Sequence, residues 1–244
     1  MGQHGKYRAL VGALCLAASA VQADPCRQAL ALGLDVSGSV SSAEYRLQLD
    51  GLAAALAHPE VTHAILAMPG APVRLFVYEW SGPRDQSVLL DWTALEDAAG
   101  LADVIARLRA TRRKPANPAT ALGTALVFGA TQLATQQACW KRTLDISGDG
   151  KSNTGPRPQD VSANPALSDI TVNALVIGSD AAQGGGPEAG ITALHSYFEG
   201  LVIRGPGAFT EVALGFDAYE AAMVRKLLRE LEGLAISQIA SPVQ

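Results

Sequence analysis

The sequence predicts an α/β protein: a doubly wound, mostly parallel central sheet with helices on both faces and one antiparallel edge strand. Three observations carry that expectation. Apolar runs of strand length recur along the chain, as expected of strands buried on both faces. Segments of helical character separate them, the alternation that builds a parallel sheet. No internal repeat or second compositional regime intervenes, so one domain over residues 24–235 is the economical reading, with 236–244 as a tail.

The elements follow in order. Residues 29–35 read as a buried strand ending at Asp35. Ser41 and Glu44, three apart, offer a capping box for a helix running to about Ala57 and stopped near Pro59. The β-branched and aromatic stretch 73–80 is a second strand, and the short 88–92 an edge strand. Residues 94–109 read as helix, 111–118 as a loop with two prolines, and 120–136 as helix despite two glycines. Strands are expected at 142–147, 172–178 and 209–214, with a turn-rich loop at 148–158. A glycine run, Gly184 to Gly186, precedes the last part of the chain, and an amphipathic helix over 217–231 closes it.

Composition narrows the function classes. Of 244 residues 48% are hydrophobic, enough to offset chain ordering and to exclude disorder. A formal charge of −4 argues against electrostatic nucleic-acid binding, and four His with three Cys argue against a zinc-cluster protein. Residues 1–23 read as a cleaved signal peptide: Lys6 and Arg8, then an apolar run, then Ala23 before Asp24. A membrane anchor is the alternative, but the run is short for a span of about 20 residues. Leu14 is too bulky before Cys15 for a lipoprotein site. No later segment is long and apolar enough to span a bilayer. Loss of Lys6 and Arg8 takes the formal charge to −6. The expected location is secreted or periplasmic.

Export leaves Cys26 and Cys139, each just before a strand. If those strands are parallel neighbours, a disulfide is geometrically open to them; two buried free thiols are the alternative.

Ligands of open α/β sheets bind beyond the carboxyl ends of the strands. Three segments there carry oxygen. Asp35-Val-Ser37-Gly-Ser39 repeats its oxygens at every second residue, which an extended backbone aims the same way. Thr120 opens the segment Thr120-Ala-Leu-Gly123-Thr-Ala125-Leu126. Asp149-Gly150 follows the strand ending at Ser147. Two carboxylates and three hydroxyls make a hard, all-oxygen set suited to Mg²⁺, or to Mn²⁺ or Ca²⁺. Neutral hydroxyls leave such an ion under-neutralised, so a carboxylate from another molecule can complete it.

Together these three pieces resemble the metal-ion-dependent adhesion site of von Willebrand factor type A domains, and the resemblance spans about residues 29–231. The stretches 78–82, 146–150 and 207–209 look like a secreted bacterial branch of unknown function. The resemblance implies a Rossmann-like sheet with the Asp35 strand central beside the 142–147 strand, which also favours the Cys26–Cys139 pairing. It further implies Ser37 and Ser39 as direct ligands, and Thr120 bound directly or through water. Asp35 and Asp149 would hold coordinated waters or the ion. The plainer readings are a helix-capping turn at 35–39, an N-cap at Thr120 and an ordinary turn at Asp149-Gly150. One departure stands out: Gly148 occupies a position where many relatives carry a hydroxyl. Asp145, inside an apolar strand, has no evident role.

Weaker signals surround the site. Glu79 and Trp80 end the second strand, as a partner-binding rim or as core. Arg107, Arg109, Arg112, Arg113 and Lys114 read as a solvated helix end or as a patch steering an acidic partner. The leading function is an exported, non-enzymatic module that recognises a protein ligand through the metal and an acidic side chain. A metal-dependent hydrolase or phosphatase and a metal-free scaffold are the alternatives. The absence of Gly-x-Ser-x-Gly, of Gly-x-Gly-x-x-Gly after the first strand and of His-Glu-x-x-His disfavours serine hydrolases, dinucleotide binding and zinc proteases.

Overall fold

The computed structural model describes residues 25–178 and 187–232. The expected leader at 1–23, the glycine run at 184–186 and the expected tail at 236–244 lie outside those residues. Six strands form one sheet: β1 (Cys26–Asp35), β2 (Val73–Trp80), β3 (Gln86–Leu95), β4 (Cys139–Gly148), β5 (Thr171–Ile177) and β6 (Thr210–Ala213). Their spatial order is β3-β2-β1-β4-β5-β6, with β3 antiparallel at one edge and every other neighbour parallel. The expected α/β architecture is therefore present.

Side-chain alternation along β1 divides the core. Leu30, Leu32 and Leu34 face a cluster shared with α1 (Ser42–Ala57), α2 (Pro59–Leu66), α3 (Ala98–Ala110) and α6 (Tyr219–Glu232). Ala29 and Ala31 face the other cluster, with α4 (Leu122–Leu133) and α5 (Pro187–Leu201). Small residues on that side make room for aromatics from β2. A Cβ on Gly33 would lie 2.6 Å from the Tyr78 hydroxyl, which donates to Ala125 O at 2.8 Å.

Several element boundaries depart from the sequence reading. Pro59 ends α1 but also starts α2, because a proline at the first helical position gives up an N–H that would have no partner anyway. The helix expected from residue 94 begins at Ala98. Asp97 caps it by accepting from Gly100 N at 2.8 Å, while Ala94 and Leu95 pair with Arg74 and Val73 and extend the edge strand. Helix α4 occupies the middle of the expected 120–136. β1 and β4 begin at their cysteines rather than three residues later. Helix α5 lies in a stretch for which the sequence offered no element.

The capping box at α1 is as read: Glu44 N donates to Ser41 Oγ at 3.2 Å and Ser41 N to Glu44 Oε2 at 2.7 Å. Cys26 and Cys139 sit opposite each other in the β1–β4 register and form a disulfide.

Candidate metal centre

β1 and β4 are central neighbours, so their carboxyl ends deliver Asp35 and Asp149 to one place. Between Asp35 and α1 the chain must turn, and the turn is built from the Asp-x-Ser-x-Ser residues. Ser37 N donates to Asp35 Oδ1 at 2.8 Å, the Ser37 and Ser39 hydroxyls lie 3.2 Å apart, and Ser39 Oγ donates to Asp149 Oδ1 at 2.7 Å. From α1, Gln48 Nε2 fixes the Asp35 carbonyl at 3.0 Å. Four of the five predicted residues are thus linked directly.

Thr120 makes no hydrogen bond to those four among the described residues. Its loop reaches them through the backbone, where Gly38 N donates to Pro118 O at 3.0 Å, and a Cβ on Gly38 would stand 2.8 Å from Pro118 Cβ. On its other side Thr120 is held by Asn153 of the Asp149 loop. Thr120 N donates to Asn153 Oδ1 at 2.8 Å and Asn153 N to Thr120 O at 2.9 Å. The N-cap of α4 is Ala121, without a side-chain bond, so the Thr120 hydroxyl does not cap the helix. Asn153 lies in the third oxygen-bearing loop, but nothing in its spacing marks it as the clamp on Thr120.

The electrostatics suit a cation. Asp35 is fully buried, and burial first, then the charge of Asp149, pushes its carboxyl up to about 7 against the opposing Ser37 bonds. Burial likewise raises Asp149, opposed by the Ser39 bond. Asp35 Oδ2 and Asp149 Oδ2 are buried with no hydrogen-bond partner. Two orphaned carboxylate oxygens beside hydroxyls form a donor set that a hard divalent ion would satisfy. Among the described residues no three His, Cys, Asp or Glu side chains converge as a metal-binding group, so the set depends on its hydroxyls.

Gly148 has a packing reason. A Cβ there would meet Phe198 Cζ at 3.1 Å, Asp35 Oδ2 at 3.5 Å and Trp80 Cζ2 at 3.6 Å. Phe198 and Trp80 fill the space that a hydroxyl-bearing side chain would need.

The rim reading of Trp80 is corrected. Trp80 continues the inward row Phe76, Tyr78, Trp80 on the α4–α5 side of the sheet and is fully buried, so no partner can reach it. Glu79, on the opposite face, is nearly buried and accepts from the Tyr45 hydroxyl at 2.5 Å, yet it lines a cleft of about 260 Å³ with Val36, Ser81 and Lys114.

Asp145 also gains a role. Lys226 of α6, fully buried, places Nζ 2.9 Å from Asp145 Oδ1 and 2.8 Å from Glu230 Oε1. Asn173 Nδ2 adds a bond to Glu230 Oε1 at 2.7 Å. Burial raises Asp145, with Lys226 opposing; Lys226 itself is raised because its two carboxylate neighbours outweigh burial. This group pins α6 to β4 and β5.

Comparison with known proteins agrees with the geometry. The family model described as Protein of unknown function (DUF1194) matches residues 25–235. No functionally curated protein matches the chain. Among solved structures, proximal thread matrix protein 1 from the mussel byssus superposes with a TM-score of 0.58 at 15% identity, over 86% of this chain and 48% of that one. A further structure of that protein has a zinc-occupied MIDAS motif. The pilus adhesin SpaC of Lactobacillus rhamnosus GG gives 0.59 at 16% identity, over 87% and 32%. A von Willebrand factor type A protein from Catenulispora acidiphila gives 0.55 at 13%, over 86% and 43%. This chain spans less than half the length of each. The fold is that of a von Willebrand factor type A domain.

Proposed function

The chain belongs to the DUF1194 family, and on that premise we propose that it is an exported, non-enzymatic binding module whose metal centre recognises an acidic side chain of a protein partner. One observation carries the reading: at the carboxyl ends of two central strands, Asp35 and Asp149 are tied to the Ser37–Ser39 turn through their Oδ1 atoms and leave both buried Oδ2 atoms without a partner. Asp35, Ser37, Ser39, Thr120 and Asp149 would hold Mg²⁺, or Mn²⁺ or Ca²⁺. The ion, when bound, supplies a Lewis-acidic centre whose five protein ligands would leave a further coordination position for a partner carboxylate. The metal-loaded motif of the byssus protein and the adhesin role of the pilus protein support this use of the fold. The leader and the Cys26–Cys139 bond support export to an oxidising compartment. Among the described residues no helix is long and apolar enough to cross a membrane.

The test is thermal unfolding with chelator and then with each ion, beside Asp35→Ala. An ion at about 100 times its dissociation constant adds roughly 2.7 kcal/mol, a readable shift that the variant should lose. An equal shift in wild type and variant would reject the site; no shift with any ion would leave a scaffold.

A further inference from the structure

Beside the metal loop, an open cleft of about 560 Å³ runs between the start of α1 and the end of α3. Its lining includes Arg46, Arg109, Arg112 and Arg113, with Ser42 and Tyr45, and no carboxylate. The four arginines do different things. Arg46 is committed to structure: Nε pairs with Asp50 at 2.8 Å, and Nη1 donates to Thr111 O at 2.7 Å beyond the end of α3. Arg113 is also committed, donating to Val36 O at 3.2 Å and lying 5.6 Å from the centre of the Tyr45 ring. Arg109 and Arg112 are exposed and have no side-chain hydrogen bond or ion pair among the described residues. Two anchored guanidiniums therefore hold the wall while two free ones face the opening.

The cleft is joined to the metal loop rather than merely near it. Val36, which takes the Arg113 bond, sits between Asp35 and Ser37. Ser42 follows Ser39 by three residues, so the two α-carbons lie within about 11 Å. That is close to the Debye length of roughly 8–10 Å at physiological salt, so charge at the near edge of the cleft is only partly screened from charge at the metal loop.

The geometry points to a second anion subsite for the same partner: an extended acidic peptide segment sets one carboxylate on the metal and a second against Arg109 and Arg112. This rests on the metal-centred reading proposed above and narrows its partner. An extended segment rises about 3.3 Å per residue, so a segment with acids about three residues apart reaches from the metal loop to the near edge of the cleft at Ser42. Free guanidiniums suit carboxylates through paired N–H donors. A peptide fits better than an anionic membrane, because the cleft lining offers no exposed apolar side chain larger than Ala110 to meet acyl chains, the Tyr45 ring being buried.

The experiment uses the full chain without its leader, in Mg²⁺. Binding of labelled extended peptides is read by fluorescence anisotropy, one peptide with a single aspartate and one with two aspartates about three residues apart. Vesicles of anionic phospholipid serve as the competing ligand, and Mn²⁺ titration calorimetry reads the metal separately. The two-acid peptide should bind about tenfold more tightly, and Arg109→Ala with Arg112→Ala should remove that advantage while leaving Mn²⁺ affinity and the unfolding midpoint unchanged. Equal binding of the two peptides, or an advantage that survives the double variant, overturns the subsite while the metal reading stands. Capture by vesicles that depends on the two arginines, without the peptide advantage, overturns it in favour of a lipid surface. A wild-type protein that takes up no Mn²⁺ overturns the metal reading and this inference with it.

Discussion

Ser39 Oγ donates to Asp149 Oδ1 at 2.7 Å, joining two loops that lie 110 residues apart in sequence. The bond spends the hydroxyl proton on a carboxylate, so Ser39 Oγ accepts from Ser37 at 3.2 Å and keeps one further lone pair for a cation. Ser39 is exposed, so Ser39→Ala should leave folding stability within about 0.5 kcal/mol of wild type. It should weaken Mn²⁺ binding by roughly tenfold or more, as loss of a group orienting or joining a metal shell commonly does. Calorimetry decides: undiminished affinity would remove Ser39 from the ligand set.

The raised carboxyls give the metal-free protein an unusual pH dependence. Asp35 and Asp145 both hold their protons up to about 7 in the fold, chiefly through burial, whereas the unfolded chain releases them in the ordinary carboxylate range. Between those limits the native state binds more protons, so stability falls as pH rises. Asp160, lowered by its Arg157 partner, acts in the opposite sense, but it is exposed and screened. With chelator present, the unfolding midpoint should therefore be higher near about pH 5 than near about pH 7. Asp35→Asn should flatten that slope and raise the midpoint at neutral pH, while losing the metal-induced shift. A midpoint that climbs with pH in the chelated wild type would contradict the burial of these two acids.

Lys226 bridges two buried carboxylates, Asp145 and Glu230. Lys226→Met leaves Asp145 and Glu230 without it and should cost about 3–5 kcal/mol. Asp145→Asn should cost less, because Lys226 keeps Glu230 at 2.8 Å and the lost charge was itself disfavoured by burial. Urea unfolding of the two variants gives the order. If Asp145→Asn proves the more damaging, the lysine is not the centre of the group.

How far the sequence could be read follows from where each residue finds its partner. β1 and β2 are legible because their buried stretches are dense in apolar, β-branched and aromatic residues, and the capping box is legible because both halves lie within one turn. The gathering of Asp35, Ser37, Ser39 and Asp149 is legible from chain order, since each lies at or just beyond the carboxyl end of one of two neighbouring strands. Pro59 misleads because a proline stops one helix and starts another equally well. Trp80 could not be placed, since its burial depends on packing partners, Phe198 among them, 118 residues along the chain. Asp145 was visible as an anomaly, but its cation sits on an amphipathic helix where a lysine reads as solvent-facing. Gly148 looked like a lost ligand; it is a space already taken by two aromatic rings.

The disulfide has a mechanical meaning for the proposed metal centre. Asp35 and Asp149 stand at the carboxyl ends of β1 and β4, and Cys26 and Cys139 bind the amino ends of the same strands together. A tug on a partner held at the ion would divide between two strands that share a covalent root. Neither strand could be drawn past the other without breaking that root. Such a load would then be borne by a covalent tie as well as by the hydrogen bonds between the two strands.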